Sequence, residues 1–161
     1  MPKFLHVGCG TRPKSQTTDG FQKNYWREVR LDIDKDVNPD IVGSITDMQC
    51  IEDSSFDAVF SSHNIEHLYA HEVTPALLEF SRVTKPDGFI VITCPDLQSV
   101  CELVVEDKLT EPAYNSPAGP ITPLDIIFGH RPSLASGNSY MAHRCGFTAK
   151  VLSSTLQSAG F

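Results

Sequence analysis

The sequence predicts an α/β domain built on a parallel sheet, and two observations carry that prediction. Short apolar runs alternate with amphipathic stretches of helical period along most of the chain. The first run, residues 3–7, stops at Gly8-Cys9-Gly10, a turn of the kind found where a strand's carboxyl end lets backbone approach a ligand. Size and composition agree: 161 residues, 40% hydrophobic and 20% charged, fit one globular domain spanning 1–161.

The elements follow in order. A second strand is expected over 28–33, with Val29, Leu31 and Ile33 on one face, and a short helix over 21–27 before it. Ile41-Val42 reads as a short third strand, entered through the turn-forming Asn38-Pro39-Asp40. Residues 56–61 read as a buried strand. A helix over 75–84 would be capped by Thr74, with Pro75 in its first position and Ala76, Leu77, Phe80 and Val83 on its apolar face. Lys85-Pro86-Asp87-Gly88 would turn the chain into the strand 89–94, and a helix should cover 97–106. Residues 112–147 hold five prolines and four glycines, which reads as a long, ordered, lid-like excursion. Thr148 then caps a last helix, with Ala149, Leu152, Leu156 and Ala159 facing inward.

Charge and cysteine usage exclude some partners. Against 20 acidic residues stand 13 Lys+Arg, a net charge of −7 with no basic stripe, so no nucleic-acid partner is expected. The longest apolar run, 89–92, falls far short of the ~20 residues of a membrane span. The opening Met-Pro-Lys leads directly into the first strand, so no signal peptide is expected. The five cysteines show no C-x-x-C spacing, which fits reduced thiols and a cytoplasmic location.

Asp32 lies 22 residues beyond Gly10, and a carboxylate there can accept both ribose hydroxyls of an adenosine. Pro13 stands where a dinucleotide fingerprint needs its third glycine, which argues against a nicotinamide dehydrogenase. Four stretches then occur in series: Leu5-His6-Val7-Gly8-Cys9-Gly10; Leu31-Asp32-Ile33-Asp34; Ser55 to Val59 through Ile65-Glu66-His67-Leu68; and Arg82 to Phe89. In that order they resemble the class I S-adenosylmethionine-dependent methyltransferases, in particular their small methyltransferase-domain branch. The resemblance spans about residues 3–96, and Gly146 to Phe161 is similar to a later helix of that family.

The resemblance implies a Rossmann-like, doubly wound, mostly parallel sheet, S-adenosyl-L-methionine as cofactor, and methyl transfer to an acceptor the chain does not identify. It places Gly8, Cys9 and Gly10 beneath the methionine part of the cofactor, Asp32 on the ribose and Ile33 on an adenine face. Asp47 and Met48 would reach the adenine edge, and Ser61, Ser62 and His63 the sulfonium. Three departures stand out: His6 where the family usually has an acid, Arg12 where it has a further glycine, and no residues for the family's C-terminal antiparallel hairpin. They keep open a second reading, a non-catalytic cofactor-binding or partner-binding module of the same fold.

His63, His67 and His71 recur at four-residue spacing and are expected to fill a polar boundary at a helix start, with no metal. His130 and His143 fall in the excursion, where they either line a substrate pocket or hold the excursion together. If the acceptor must lose a proton, His63, His130 and His143 are the candidate bases. Without a terminal hairpin, the 89–94 strand presents an apolar edge with no charge before Asp96, so either a homodimer through that edge or cover from a further part of a longer chain is expected.

Overall fold

In the computed structural model, which describes residues 1–161, the chain forms a five-stranded parallel sheet and a small two-stranded one. The main strands are β1 (Lys3–Val7), β2 (Arg27–Asp32), β3 (Ile41–Val42), β4 (Phe56–Ser62) and β5 (Thr84–Thr93). Their spatial order is β3-β2-β1-β4-β5, all parallel. The order reverses between β1 and β4, so the carboxyl ends of these two strands open the crevice where such sheets bind ligands.

Alternation along the strands divides the core into two. Leu5, Val7, Leu31 and Val59 face the helices α1 (Ala70–Val83) and α5 (Ala149–Ser158), forming a cluster of 16 buried residues with Leu77, Phe80 and Val83. Phe4, Ala58 and Phe60 face the other way and meet Phe21 and Trp26. That second face has no helix from the first crossover. The helix expected over 21–27 does not form, and one 3-10 turn at Lys14–Gln16 is the only regular structure between β1 and β2. Phe21 and Trp26, five residues apart, could not share one face of a helix. An extended loop lets both rings reach Phe4, at centroid distances of 4.5 and 6.0 Å, and Lys14 pins the loop by donating to the carbonyls of Lys23 and Trp26.

Two other boundaries and one buried position differ from expectation. Helix α1 starts at Ala70, five residues early, because Glu72 accepts the Tyr69 amide at 2.8 Å and caps the first turn in place of Thr74. Pro75 sits inside the helix at an exposed position, forgoing one backbone bond. The expected turn at 85–88 is absorbed into β5 as a bulge: Phe56 pairs with Thr84, but Ala58 already pairs with Phe89. In α5, Leu152, Leu156 and Ala159 face the core as expected, whereas Ala149 is exposed.

Helix α2 (Leu97–Val105) is capped by Asp96, whose carboxylate accepts the Gln98 amide. Beyond it, the stretch 112–147 is not irregular throughout. It holds the antiparallel hairpin β6 (Tyr114–Ser116) and β7 (Gly119–Ile121), then α3 (Pro123–Phe128) and α4 (Arg131–Ala135). The prolines do not forbid these helices, because Pro123 and Pro132 sit in first turns where no amide bond is lost. No helix is long and apolar enough to cross a membrane.

Candidate functional site

The glycine turn is held from the neighbouring strand. Gly10 donates its amide to Asp32 Oδ2 at 2.7 Å, and its carbonyl accepts from Arg30 Nη2. Both glycines adopt left-handed backbone, with φ of 59° at Gly8 and 52° at Gly10. They differ in surroundings. A Cβ on Gly8 would stand 2.3 Å from Asn64 Cγ, whereas one on Gly10 would meet nothing within 4 Å. Gly8 is thus packed shut by Asn64, and Gly10 borders open space. Cys9, between them, is buried, and burial pushes its thiol up to about 11, so it stays protonated.

Asp32 is 8% exposed at the end of β2. Besides Gly10 it accepts the Asp34 amide at 2.9 Å on Oδ1, which leaves lone pairs on both oxygens unused. Ile33 next to it is 51% exposed. Asp47 is exposed in the segment after β3. Met48 cannot serve an adenine edge as expected: its side chain is fully buried in the core, and its amide already donates to Glu79 Oε2 at 2.6 Å. Arg82 fixes that segment, bonding the Met48 and Ile51 carbonyls, Asp53 and Glu79 together.

At the end of β4, Ser61 is buried with a hydroxyl that has no partner, Ser62 accepts from Thr93, and His63 adopts φ of 50°. His6 is buried and bonded through Nδ1 to Glu28 at 2.7 Å. Burial lowers its pKa although Glu28 opposes the shift, so the ring is neutral at pH 7. A carboxylate is therefore present at this level of the sheet, carried by β2 where the family's acid would sit on β1. Arg12, the second departure, is exposed at the mouth of the turn.

Above the turn lies a cavity of about 450 Å³. Gly8, Cys9, Gly10, Phe60, Ser62 and His63 form one side of it. The other side comes from the excursion, through Tyr114, Ile121, Ile126, His130, Met141 and His143. The excursion is ordered by its own polar cluster. Asp125 accepts from Thr122 at 2.6 Å and from Arg131 Nε at 2.7 Å, and the Arg131 guanidinium holds its carboxyl well below the usual range. Its histidines do hold the excursion together, His143 Nδ1 tying to the Ile126 carbonyl and His130 Nδ1 to Ser133, and both rings also line the cavity.

His63, His67 and His71 do not share a helix face. A 3-10 turn at Ile65–His67 precedes α1, and His71 points away, stacked on Tyr69. Sequence reasoning gave no role to Glu28, Asn64 or Arg82, and it set Glu66 beside the histidines without foreseeing His143; no local pattern reveals these long-range partners.

A family model described as a methyltransferase domain matches residues 5–92. No curated protein matches the chain. Among solved structures, the fold is similar to a SAM dependent methyltransferase from Archaeoglobus fulgidus: 19% identity, TM-score 0.58, 99% of this chain and 61% of that one. It is also similar to a SAM-dependent methyltransferase from Methanosarcina mazei, at 15% identity, TM-score 0.62, 98% of this chain and 78% of that one. A third is the Burkholderia thailandensis 1,6-didemethyltoxoflavin-N1-methyltransferase, solved with 1,6-didemethyltoxoflavin and S-adenosylhomocysteine. It is 15% identical, with TM-score 0.54 over 99% of this chain and 60% of that one. The chain thus spans about six-tenths of the first and third of these structures.

Proposed function

The chain belongs to the methyltransferase-domain family, and from that premise we propose that it is an S-adenosylmethionine-dependent methyltransferase acting on a small acceptor. The observation that carries the reading is the turn at Gly8–Gly10. One glycine is packed shut and the other borders open space, beside a strand-end carboxylate with lone pairs to spare. These residues fit the cofactor. Gly10 gives its methionine part room, Asp32 accepts the ribose hydroxyls, Ile33 offers an apolar face to the adenine, and Asp47 reaches its edge.

When bound, the cofactor supplies a methyl group on a cationic sulfonium. The chain's part is to place an acceptor in line with it, and positioning alone can supply much of the rate. Ser62 and His63 stand at the strand end nearest the transfer point, and the unpartnered Ser61 hydroxyl lies behind them. His130 faces the cavity with Nδ1 bonded to the Ser133 hydroxyl, and in the tautomer where Nδ1 donates, Nε2 is free to take an acceptor proton. The excursion walls the cavity opposite the glycine turn, so an acceptor would share its roughly 450 Å³ with the cofactor's methionine part, an enclosure that supports a small acceptor.

Two further proposals accompany this reading. β5 pairs with β4 alone, so its other edge offers backbone groups to a second copy of the chain, which sedimentation would read directly. A cytoplasmic location is supported by five cysteines, all free thiols.

The test of the function is thermal. S-adenosylhomocysteine at about a hundredfold excess over its Kd should stabilise the fold by ~2.7 kcal/mol and raise the Tm by roughly 5–10 °C. An unchanged Tm at millimolar ligand would overturn the reading and favour a module that does not bind the cofactor.

A further inference from the structure

We propose that Glu66, His67 and His143, with His63 as a fourth ligand, bind one divalent first-row transition-metal ion of the Zn²⁺ type at the cavity wall. The first observation is Glu66. Its side chain is 2% exposed, and neither carboxylate oxygen accepts a hydrogen bond. The nearest cationic candidate is His63 Nδ1, 3.3 Å from Oε1. A buried carboxylate left this way is strongly unfavourable unless it is paired or coordinates an ion.

The second observation is the orientation of the imidazoles. His67 Nδ1 lies 3.0 Å from the Ala142 carbonyl, and His143 Nδ1 lies 2.6 Å from the Ile126 carbonyl. A carbonyl only accepts, so the ring proton sits on Nδ1 in both, and each Nε2 keeps a free lone pair. This is how metal-ligating histidines are fixed by their outer partners. The rings meet edge to face with centroids 4.8 Å apart. The Glu66 carbonyl accepts the amides of Arg144 and Cys145, which draws the excursion, and His143 with it, onto Glu66.

Geometry completes the site. One donor atom from each of Glu66, His67 and His143 lies within 4.8 Å of the others. A tetrahedral ion with bonds of about 2.0–2.1 Å holds its ligands roughly 3.4 Å apart, a distance that small side-chain rotations reach. His63 is held in left-handed backbone by its amide bond to the Thr93 carbonyl, the kind of strain that persists at functional positions. An imidazole-rich set with one carboxylate selects Zn²⁺, Co²⁺ or Ni²⁺ over Mg²⁺ or Ca²⁺, which take oxygen ligands. The three histidines line the cavity and Glu66 lies behind them, so an ion there faces the cavity. Its use, steering an acceptor with a ligating oxygen or nitrogen, rests on the methyl-transfer reading; its existence does not.

The experiment needs no cofactor. The full chain, stripped with a chelator, is titrated with Zn²⁺ calorimetrically and with Co²⁺ by visible absorption. One ion per chain is expected, with the intense absorption of a low-coordinate Co²⁺ site that Zn²⁺ abolishes. Glu66→Gln and His143→Ala should each weaken binding about a hundredfold or more, while His71→Ala, at the exposed neighbour outside the cluster, leaves it unchanged. Absence of saturable Zn²⁺ binding, or binding that survives His143→Ala in a chain of native circular dichroism, would overturn the site. So would a preference for Mg²⁺. If Glu66→Gln fails to fold, His143→Ala and His67→Ala decide the matter. Cofactor binding without metal binding would sink this site alone, and the reverse would sink the methyl-transfer reading alone.

Discussion

The segment that carries the glycine turn and the excursion that covers it are held in different ways. Residues 3–96 hang on a register: five parallel strands, fourteen of the 16 residues of the main buried cluster, and a turn bonded to the next strand at both its amide and its carbonyl. The excursion contributes few residues to that cluster. It is held by Thr122, Asp125 and Arg131, and by the stitching of 142–145 onto Glu66 and His67. The proposed cofactor contacts therefore sit on the sheet frame, while the proposed acceptor side sits on a polar-tied cover. That contrast suits an enzyme with one cofactor and a variable acceptor.

The contrast breaks most visibly in the frame. Phe80 is fully buried against the sheet, so Phe80→Ala should destabilise the whole domain by about 3–5 kcal/mol in chemical denaturation. A loss confined to one segment would show that the frame is not one cooperative unit.

Asp125 tests the cover. Asp125→Ala removes the bonds its carboxylate accepts from Thr122 and from Arg131, at a cost of about 1–2 kcal/mol. Faster hydrogen exchange should appear over 112–147 and little change in β1 or β4. Acid should do the same reversibly. The Asp125 pKa is depressed in the fold, so its contribution is complete above the ordinary value of ~3.9 and is lost as pH falls further. Exchange in the excursion should be flat from pH 8 to about 5 after correction for intrinsic rates, and should rise in more acidic solution. An equal rise in the central strands would erase the distinction between the two regions.

How much was legible follows the same division. β1 and β4 could be read because short apolar runs end at a glycine turn or a polar strand end, both local signals. The excursion's prolines read as breakers, yet Pro123 and Pro132 begin helices, because only the preceding residues decide whether a proline opens or interrupts a turn. The helix expected at 21–27 lost to tertiary packing of Phe21 and Trp26 on the sheet, and Met48 lost its expected role to Glu79, 31 residues away. Glu66 illustrates the limit best. Beside three histidines it reads as a polar boundary, and only the fold brings His143 to it.

The sharpest test of the central claim is calorimetric titration of the full chain with S-adenosylmethionine and with its demethylated product, on the native sequence and on Asp32→Ala. Both ligands should bind the native chain in the micromolar range, and Asp32→Ala should lose roughly tenfold or more, since charge-assisted bonds contribute about 1.5–3 kcal/mol each. The variant should also melt somewhat lower without ligand, because Asp32 holds the Gly10 and Asp34 amides. No heat of binding from either ligand at millimolar concentration, with the native chain folded, would contradict the account.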